Sequence, residues 1–231
     1  MALSKGSIAF VGFNADGNDN IAFVALTDIP AGETIIFEDN EWNGSAFADT
    51  NEGAFSWMAT SAVAAGTIVT IDNIGSGTAS ASSGSVTLPV AGRGSNRGLA
   101  AGDETLYAYQ GSASAPNFIT AVANGGFNSA NGALTNTGLT AGVDALDLST
   151  LDDDADIAAF NGARSGASSF EAYRTAINTA ANWISQDGSG DQSNDGTAPD
   201  VPFSTQSFTM TGSGAVSIAS VTVDAASKPE G

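Results

Sequence analysis

The side chains best suited to chemistry in this sequence are carboxylates, amides and hydroxyls that occur in four short acidic clusters. Calcium takes about six to eight oxygen ligands, and a short loop with oxygen-bearing side chains at alternate positions can surround one ion. The last cluster has this alternation, and its candidate metal ligands are Asp187, Ser189, Asp191 and Asp195. It departs from the EF-hand loop, because Gln192 and Ala198 stand where such a loop requires glycine and glutamate. The pattern therefore predicts a calcium loop of another kind.

Three further clusters offer candidate calcium ligands with a less regular spacing. These ligands are Asp16, Asn18 and Asp19 in the first cluster, Asp39 and Glu41 in the second, and Asp152 and Asp154 in the third. Ordinary turn formation is the competing interpretation, because Asp, Asn and Gly also favour turns when no ion is bound. The second cluster lies between an apolar strand and Trp42. A glycosidase acid/base pair formed by Asp39 with Glu41 or Glu52 is a further alternative there.

The residue types that the chain lacks exclude much of enzyme chemistry. The sequence contains no histidine and no cysteine, so the Ser-His-Asp and Cys-His arrangements of nucleophilic enzymes cannot form. The commonest general base and the commonest ligand of zinc, copper and iron are also absent. We therefore predict that the chain is not an enzyme. A hydrolase that uses carboxylates or a metal ion is the remaining catalytic alternative.

The charge of the chain narrows the choice of partners. There are 25 Asp and Glu against 6 Lys and Arg, which gives a net charge of −19 at pH 7. Such a surface repels nucleic acids and anionic membranes, whereas divalent cations are its natural counterions. We expect no nucleic-acid partner and no membrane insertion, the latter also because no apolar run approaches about 18 residues. General solubility or salt tolerance is the competing explanation of the acidity.

The elements that must position these clusters are predicted to be β-strands. Residues 7–13 and 21–27 are rich in β-branched and aromatic side chains, and the first acidic cluster forms the turn between them. Similar runs recur along the chain. They predict an all-β fold, a two-sheet antiparallel β-sandwich of about nine or ten strands. One short helix is expected near residues 169–182, because Ser168 and Glu171 have the spacing of a capping box.

The sequence also predicts a domain boundary and a location. Residues 1–211 are expected to form the β-sandwich domain, and residues 212–231 a linker and the first strand of a following module, since Gly212 and Gly214 flank a serine as in flexible linkers. Residues 1–13 lack the features of a signal peptide and lead directly into a strand. Secretion, which the composition favours, is then expected to use another route, such as a C-terminal signal.

Several segments resemble a known family. Residues 6–14, 19–26, 28–35 and 39–42 are similar to the N-terminal domain of large secreted bacterial surface proteins, many of them cyanobacterial, and the similarity extends over about residues 5–211. The resemblance implies an extracellular or cell-surface domain that precedes repeat modules, calcium-binding repeats, or nuclease and phosphatase domains. The strand at 21–26 and the Pro-Ala-Gly turn after it are also similar to immunoglobulin-like lamin-tail domains. Residues 219–231 resemble the opening strand of a Calx-β domain.

These observations predict a non-catalytic, extracellular calcium-binding module with a structural or adhesive role. Such a module could form part of an S-layer or an extracellular fibre, through self-assembly or contact with neighbouring surface modules. A carbohydrate-binding accessory domain is the main alternative. It would bind a glycan on an aromatic platform. The candidate platform residues are Trp42, Trp57, Tyr107 and Tyr109.

Overall fold

The computed structural model describes residues 2–48, 50–94 and 98–212, and these are mostly β-structure, which confirms the predicted fold class. The strands in chain order are β1 (Ile8–Asn14), β2 (Asn20–Ala25), β3 (Thr34–Glu38), β4 (Ala54–Met58), β5 (Ile68–Asp72), β6 (Ser80–Ala81), β7 (Ser85–Thr87), β8 (Thr105–Ser112), β9 (Ala115–Ala123), β10 (Ala145–Asp147), β11 (Ile157–Phe160), β12 (Ser165–Ala167), β13 (Trp183–Gln186) and β14 (Thr209–Met210). The helices of the described residues are α1 (Tyr173–Ile177) and two 3-10 helices, Leu148–Thr150 and Ala180–Asn182.

Most strands belong to two six-stranded sheets. The first sheet has the order β13-β11-β1-β2-β5-β6 and is antiparallel throughout. The second has the order β10-β9-β8-β3-β4-β7, in which only the β10–β9 pair is parallel. This pair corrects the expectation of purely antiparallel sheets. The long connection between β9 and β10 supplies the return path that a parallel neighbour requires.

The sheets contain more strands than the nine or ten expected, because several strands are very short. Strands β6, β7, β10, β12 and β14 have only two or three residues each. Segments of this length cannot show the alternation of apolar and polar residues from which a strand is predicted. β12 and β14 form a separate two-stranded parallel sheet.

The two large sheets pack against each other through aromatic side chains. The ring of Phe37 in the second sheet lies 6.1 Å from the ring of Phe10 and 5.8 Å from that of Phe23 in the first. Trp57 of the second sheet meets Phe23 edge to face at 5.2 Å. This packing is consistent with the predicted sandwich, and its aromatic contacts add about 0.5–1.5 kcal/mol each to the burial of the rings.

The outer face of each sheet is covered as well. Every residue of β1 and β2 is buried, as expected for strands with apolar neighbours on both faces. Over the first sheet, Phe203 packs on Gly12, where an added Cβ would come within 2.6 Å of the Phe203 ring. Over the second sheet, Trp42 and Phe47 of one loop pack against Phe118.

The predicted helix is present but shorter than expected. α1 begins after Ala172, whose side chain gives no capping hydrogen bond, so the predicted capping box of Ser168 and Glu171 does not form. The hydroxyl of Ser169 instead accepts the amide of Ala172 at 3.1 Å and forms a turn before the helix. Among the described residues, no helix is long and apolar enough to cross a membrane.

In the first sheet, strand pairing brings three acidic loops to the same end. Asn14 at the end of β1 lies opposite Asn20 at the start of β2 and opposite Ile157 at the start of β11. Ile157 in turn lies opposite Gln186 at the end of β13. The first, third and fourth acidic clusters occupy the loops that adjoin these residues, so they lie at one end of this sheet.

The second acidic cluster lies at the same end of the molecule. It begins with Glu38 at the end of β3, which pairs with Tyr107 near the start of β8. The two sheets are tied together here, because the backbone amide of Leu99 donates to Oδ2 of Asp19 at 3.0 Å. We call this the acidic end. The predicted linker and terminal strand at 212–231 lie outside the described residues except for Gly212.

Candidate functional site

The first and fourth acidic clusters form one site, although they are far apart in sequence. The backbone amide of Gln192 donates to Oδ2 of Asp16 at 2.9 Å, across 176 positions of the chain. Gly17 approaches the carboxylate of Asp191 closely, since a Cβ on that glycine would lie 2.5 Å from Oδ2 of Asp191. Two loops that the sequence offered as separate calcium candidates therefore share a single surface.

A cavity of about 480 Å³ lies between these loops. Its polar lining consists of carboxylates, side-chain amides, a hydroxyl and the backbone of one glycine. The lining residues are Gly17, Asn18, Asn20, Asp72, Asn73, Asp191, Ser193, Asn194, Val201 and Pro202. Carboxylate, amide and hydroxyl oxygens are the ligands that calcium prefers. The cavity therefore has the donor chemistry of a hard-cation site.

The first cluster is partly organised by its own asparagine. Asn14 is buried, and its Nδ2 donates to the backbone oxygens of Asp16 at 2.9 Å and Asn18 at 3.3 Å, and to Oδ1 of Asn20 at 3.0 Å. An amide nitrogen thus stands at the centre of three converging oxygens. This is the turn chemistry that competes with ion binding at this loop.

Asp19 of the same cluster points inward rather than into the cavity. Its carboxylate is buried and accepts the amide of Leu99. Burial, together with the nearby charge of Asp16, raises the pKa of Asp19 to about 6. Asp19 therefore joins the two sheets at the acidic end, a role that no local sequence pattern indicates.

Some residues of the fourth cluster stabilise turns, and Asp191 also lines the cavity. Oδ1 of Asp191 accepts the amide of Ser193 at 3.0 Å and its hydroxyl at 2.6 Å, and these bonds lower the pKa of the Asp191 carboxyl. Oδ1 of Asp195 accepts the amide of Thr197 at 2.7 Å. Among the four predicted ligands of this cluster, Asp191 lines the cavity, whereas Asp187, Ser189 and Asp195 do not.

The third cluster faces one further carboxylate, that of Asp103. Oδ1 of Asp154 accepts the amide of Asp103 at 2.7 Å, and a Cβ on Gly125 would lie 2.8 Å from the Oδ1 atoms of both Asp103 and Asp154. Oδ2 of Asp152 accepts the hydroxyl of Ser185 at 3.1 Å. Asp103 has no acidic residue beside it except Glu104, so its proximity to the third cluster became visible only in the fold.

The second cluster contains a buried carboxylate that is well satisfied. Glu38 is fully buried, and its Oε1 lies 2.6 Å from Nε of Arg93. The hydroxyl of Tyr109 donates to Oε2 at 2.5 Å, and Nδ2 of Asn40 donates to Oε1 at 3.2 Å. Burial raises the pKa of Glu38, while these partners oppose the shift. Glu38 is therefore a structural group of the second sheet.

Asp39, the next residue, is buried without such partners. It is 3% exposed, and its Oδ1 has no hydrogen-bond partner among the residues that the structure describes. Burial, followed by the charges of Glu104 and Glu52, raises the pKa of Asp39 to about 9. A glycosidase acid or base must contact its substrate, and this depth of burial leaves Asp39 little access to one. The predicted partner ligand Glu41 is only half-buried.

Glu104 completes this interior group, and sequence analysis missed it. It is 5% exposed, and its two oxygens accept the amides of Ala100 at 2.9 Å and Thr105 at 3.0 Å. Burial, with the charges of Glu52 and Glu41, raises the pKa of Glu104 to about 8. An acidic residue at the start of a strand is common, so the sequence around Glu104 does not mark it. Only the pairing of β3 with β8 shows that Glu104 belongs to the same interior group as Asp39.

The four aromatic residues of the predicted glycan platform are buried, and the platform does not exist in this fold. Nε1 of Trp42 donates to the carbonyl of Thr135 at 2.9 Å, and the hydroxyl of Tyr107 donates to that of Ala133 at 3.0 Å. These bonds hold the loop at 133–135 over the outer face of the second sheet. The aromatic side chains serve the packing of the protein instead of presenting a surface.

Ion binding at the acidic end would need more than acidic side chains. Across residues 2–48, 50–94 and 98–212, no three acidic side chains are arranged to hold a metal ion by themselves. Backbone carbonyls, amides, hydroxyls and water would therefore supply part of any coordination shell, as they commonly do for calcium.

Comparison of the chain with protein-family models, with curated proteins and with solved structures finds no match.

Proposed function

We propose that this chain is a non-catalytic calcium-binding structural module of a secreted or cell-surface protein, and that its ions bind at the acidic end. The observation that carries this proposal is the convergence of four separate acidic clusters on one end of the two sheets. The cavity between the first and fourth clusters, with Asp72 and Asp191 in its lining, is the principal surface site.

The distribution of positive charge supports a role for added cations. Among the Lys and Arg side chains that the structure describes, only Arg93 pairs with a carboxylate at the acidic end. Lys5 and Arg174 pair with acids near the opposite end, at 3.5 Å and 3.4 Å. The carboxylates of the acidic end therefore repel one another, and a divalent cation relieves that repulsion.

Calcium binding would stabilise the folded protein by mass action. An ion that binds only the folded state adds about 2.7 kcal/mol of stability when its concentration is 100 times Kd. Calcium sites of extracellular modules have Kd values of about 10⁻⁴–10⁻³ M. The sequence resembles secreted bacterial surface domains, and the extracellular setting that this resemblance implies would favour this range and an adhesive or assembling role.

Thermal melting tests the proposal. We expect the melting temperature of the wild-type chain to be higher in about 10–100 mM CaCl₂, which is about 100 times such Kd values, than in EGTA. The double variant Asp72→Asn with Asp191→Asn, which removes both carboxylates that line the cavity, should show a smaller increase. Glu171→Gln is the matched control, because Glu171 is exposed at the opposite end and should leave the calcium effect unchanged. A wild-type melting temperature that is the same in CaCl₂ and EGTA rejects the proposal.

A further inference from the structure

A second group of carboxylates lies in the interior of the acidic end, apart from the surface cavity. Asp39 follows the end of β3 and Glu104 precedes the start of β8, and neither residue lines the cavity. Both are more than nine-tenths buried. The charges that act on Asp39 are those of Glu104, Glu52 and Glu38, so its surroundings are acidic.

Positive charge does not balance this group within the described residues. Of the described Lys and Arg side chains, Arg93 pairs with an acid at this end, and its partner is Glu38 at 2.6 Å. Glu38 is further satisfied by Tyr109 and Asn40. Asp39 and Glu104 therefore share a buried environment without a cationic partner of their own, and an unpaired buried charge is strongly unfavourable.

Protonation of Asp39 would remove its charge but would leave its Oδ1 without a bonding partner. The atom is fully buried and finds no hydrogen-bond partner in residues 2–48, 50–94 and 98–212. A protonated carboxyl loses its charge, but its O–H still requires an acceptor and its carbonyl oxygen still requires a donor. A bound cation removes the charge and also gives the orphaned oxygen a ligand bond. A bound cation would therefore satisfy the Oδ1 atom of Asp39 better than a proton would.

We propose that Asp39 and Glu104 bind one hard divalent cation of the calcium type in an enclosed site between the end of β3 and the start of β8. Two carboxylates suffice when backbone carbonyls or water complete the shell. Amides of Ala100 and Thr105 fix the Glu104 carboxylate, which pre-orients it as a ligand. This site extends the proposed calcium-binding role and rests on it, but it uses residues that the surface cavity does not.

Terbium luminescence can separate the interior site from the surface cavity. Tb³⁺ occupies calcium sites and emits strongly when a nearby Trp or Tyr absorbs the exciting light. Tyr109 bonds to Glu38 beside Asp39, and Trp42 lies three positions further along the chain, whereas no aromatic residue lines the cavity. We expect wild-type protein to sensitise Tb³⁺ emission, and excess CaCl₂ to abolish it.

Variants of the interior site and of the surface cavity then test whether an ion binds in the interior. Asp39→Asn and Glu104→Gln should each reduce sensitised emission to the level of free Tb³⁺, and calorimetry should show one calcium ion fewer per chain. Asp191→Asn should retain the emission. Both interior variants preserve side-chain shape and remove a buried charge, so we expect them to fold without metal, which circular dichroism in EGTA checks.

Each other outcome rejects the interior site. Sensitised emission that survives in a folded Asp39→Asn variant rejects it, and so does emission that is lost only in Asp191→Asn. Calcium stabilisation of the wild type without any sensitised emission also rejects the interior site, while the proposed function stands. If calcium has no effect on the melting of any variant, the proposed function fails as well.

Discussion

At the scale of single residues, the raised pKa values of Asp39 and Glu104 make stability depend on pH. Burial raises the pKa of these carboxyls from ordinary values of 3.8 and 4.5 to about 9 and about 8. The folded protein therefore holds protons that the unfolded chain has already released, and folding becomes less favourable as the pH rises.

We predict that metal-stripped protein loses stability continuously from about pH 5 to about pH 9, the window that these pKa values define. Urea denaturation at a series of pH values measures this loss. Asp39→Asn should flatten the profile and add about 1–3 kcal/mol at the alkaline end, the usual penalty of an unsatisfied buried polar group. A wild-type profile that is flat or rises with pH would contradict the prediction.

Two tyrosines of β8 provide a second test with a built-in control. The hydroxyl of Tyr109 donates to the carboxylate of Glu38, whereas that of Tyr107 donates to the backbone carbonyl of Ala133. We expect Tyr109→Phe to lower the free energy of unfolding by about 1.5–3 kcal/mol, because it deprives a buried charged group of a donor, and Tyr107→Phe by about 0.5–1.5 kcal/mol. Equal losses in denaturant titrations would show that the charge of Glu38 does not matter.

At the scale of elements, the strand β1 depends on a glycine. A Cβ at Gly12 would meet the ring of Phe203 at 2.6–2.9 Å, in the segment that covers the outer face of the first sheet. Gly12→Ala should therefore displace Phe203 and lower the free energy of unfolding by about 1–3 kcal/mol. Gly77→Ala is the control, since a Cβ added at Gly77 would meet nothing within 4 Å. Urea denaturation of both variants would contradict the prediction if Gly12→Ala were no more destabilising than the control.

Elements with strong local patterns could be predicted from the sequence. The runs at 7–13 and 21–27 are rich in β-formers, and they became β1 and β2 within one or two residues of the expected bounds. The capping box before α1 failed, because Ser169 rather than Ser168 accepts a backbone amide there. Strands of two or three residues had no pattern to detect, since long-range pairing alone creates them.

For the candidate site, the sequence predicted only those residues that belong to a local pattern. Asp191 was found through the alternation of oxygen-bearing residues in its own loop. Asp72 and Glu104 were not found, because each is an ordinary acid at a strand end until pairing places it. The burial of Asp39 was equally invisible, since no local pattern distinguishes a buried carboxylate from an exposed one at the end of a strand.

At the scale of the whole molecule, charge is concentrated at one end of the sheets. The net charge of −19 should keep metal-free molecules apart. We predict that the chain is monomeric in EGTA and associates in millimolar CaCl₂, where ions neutralise the acidic end and can bridge two copies. Light scattering after size-exclusion chromatography measures the mass.

Sodium chloride at matched ionic strength is the control for this association. Salt screens the repulsion between distant charges without coordinating them. If NaCl produced the same association and the same rise in melting temperature as CaCl₂, the acidity would serve general solubility or salt tolerance instead of specific ion binding.

The segment that runs over the first sheet carries the chain from the acidic end to the opposite end of the sheets. It leaves the acidic end after Ser193, passes Gly12 at Phe203, and reaches the turn before β5, where the amide of Phe208 donates to Gly66. The amide of Leu3 donates to Gln110 at that same far end. Both ends of the described chain thus lie at the far end of the sheets. A protein anchored through either one would hold the acidic end outermost, turned toward the surrounding medium and away from the anchor.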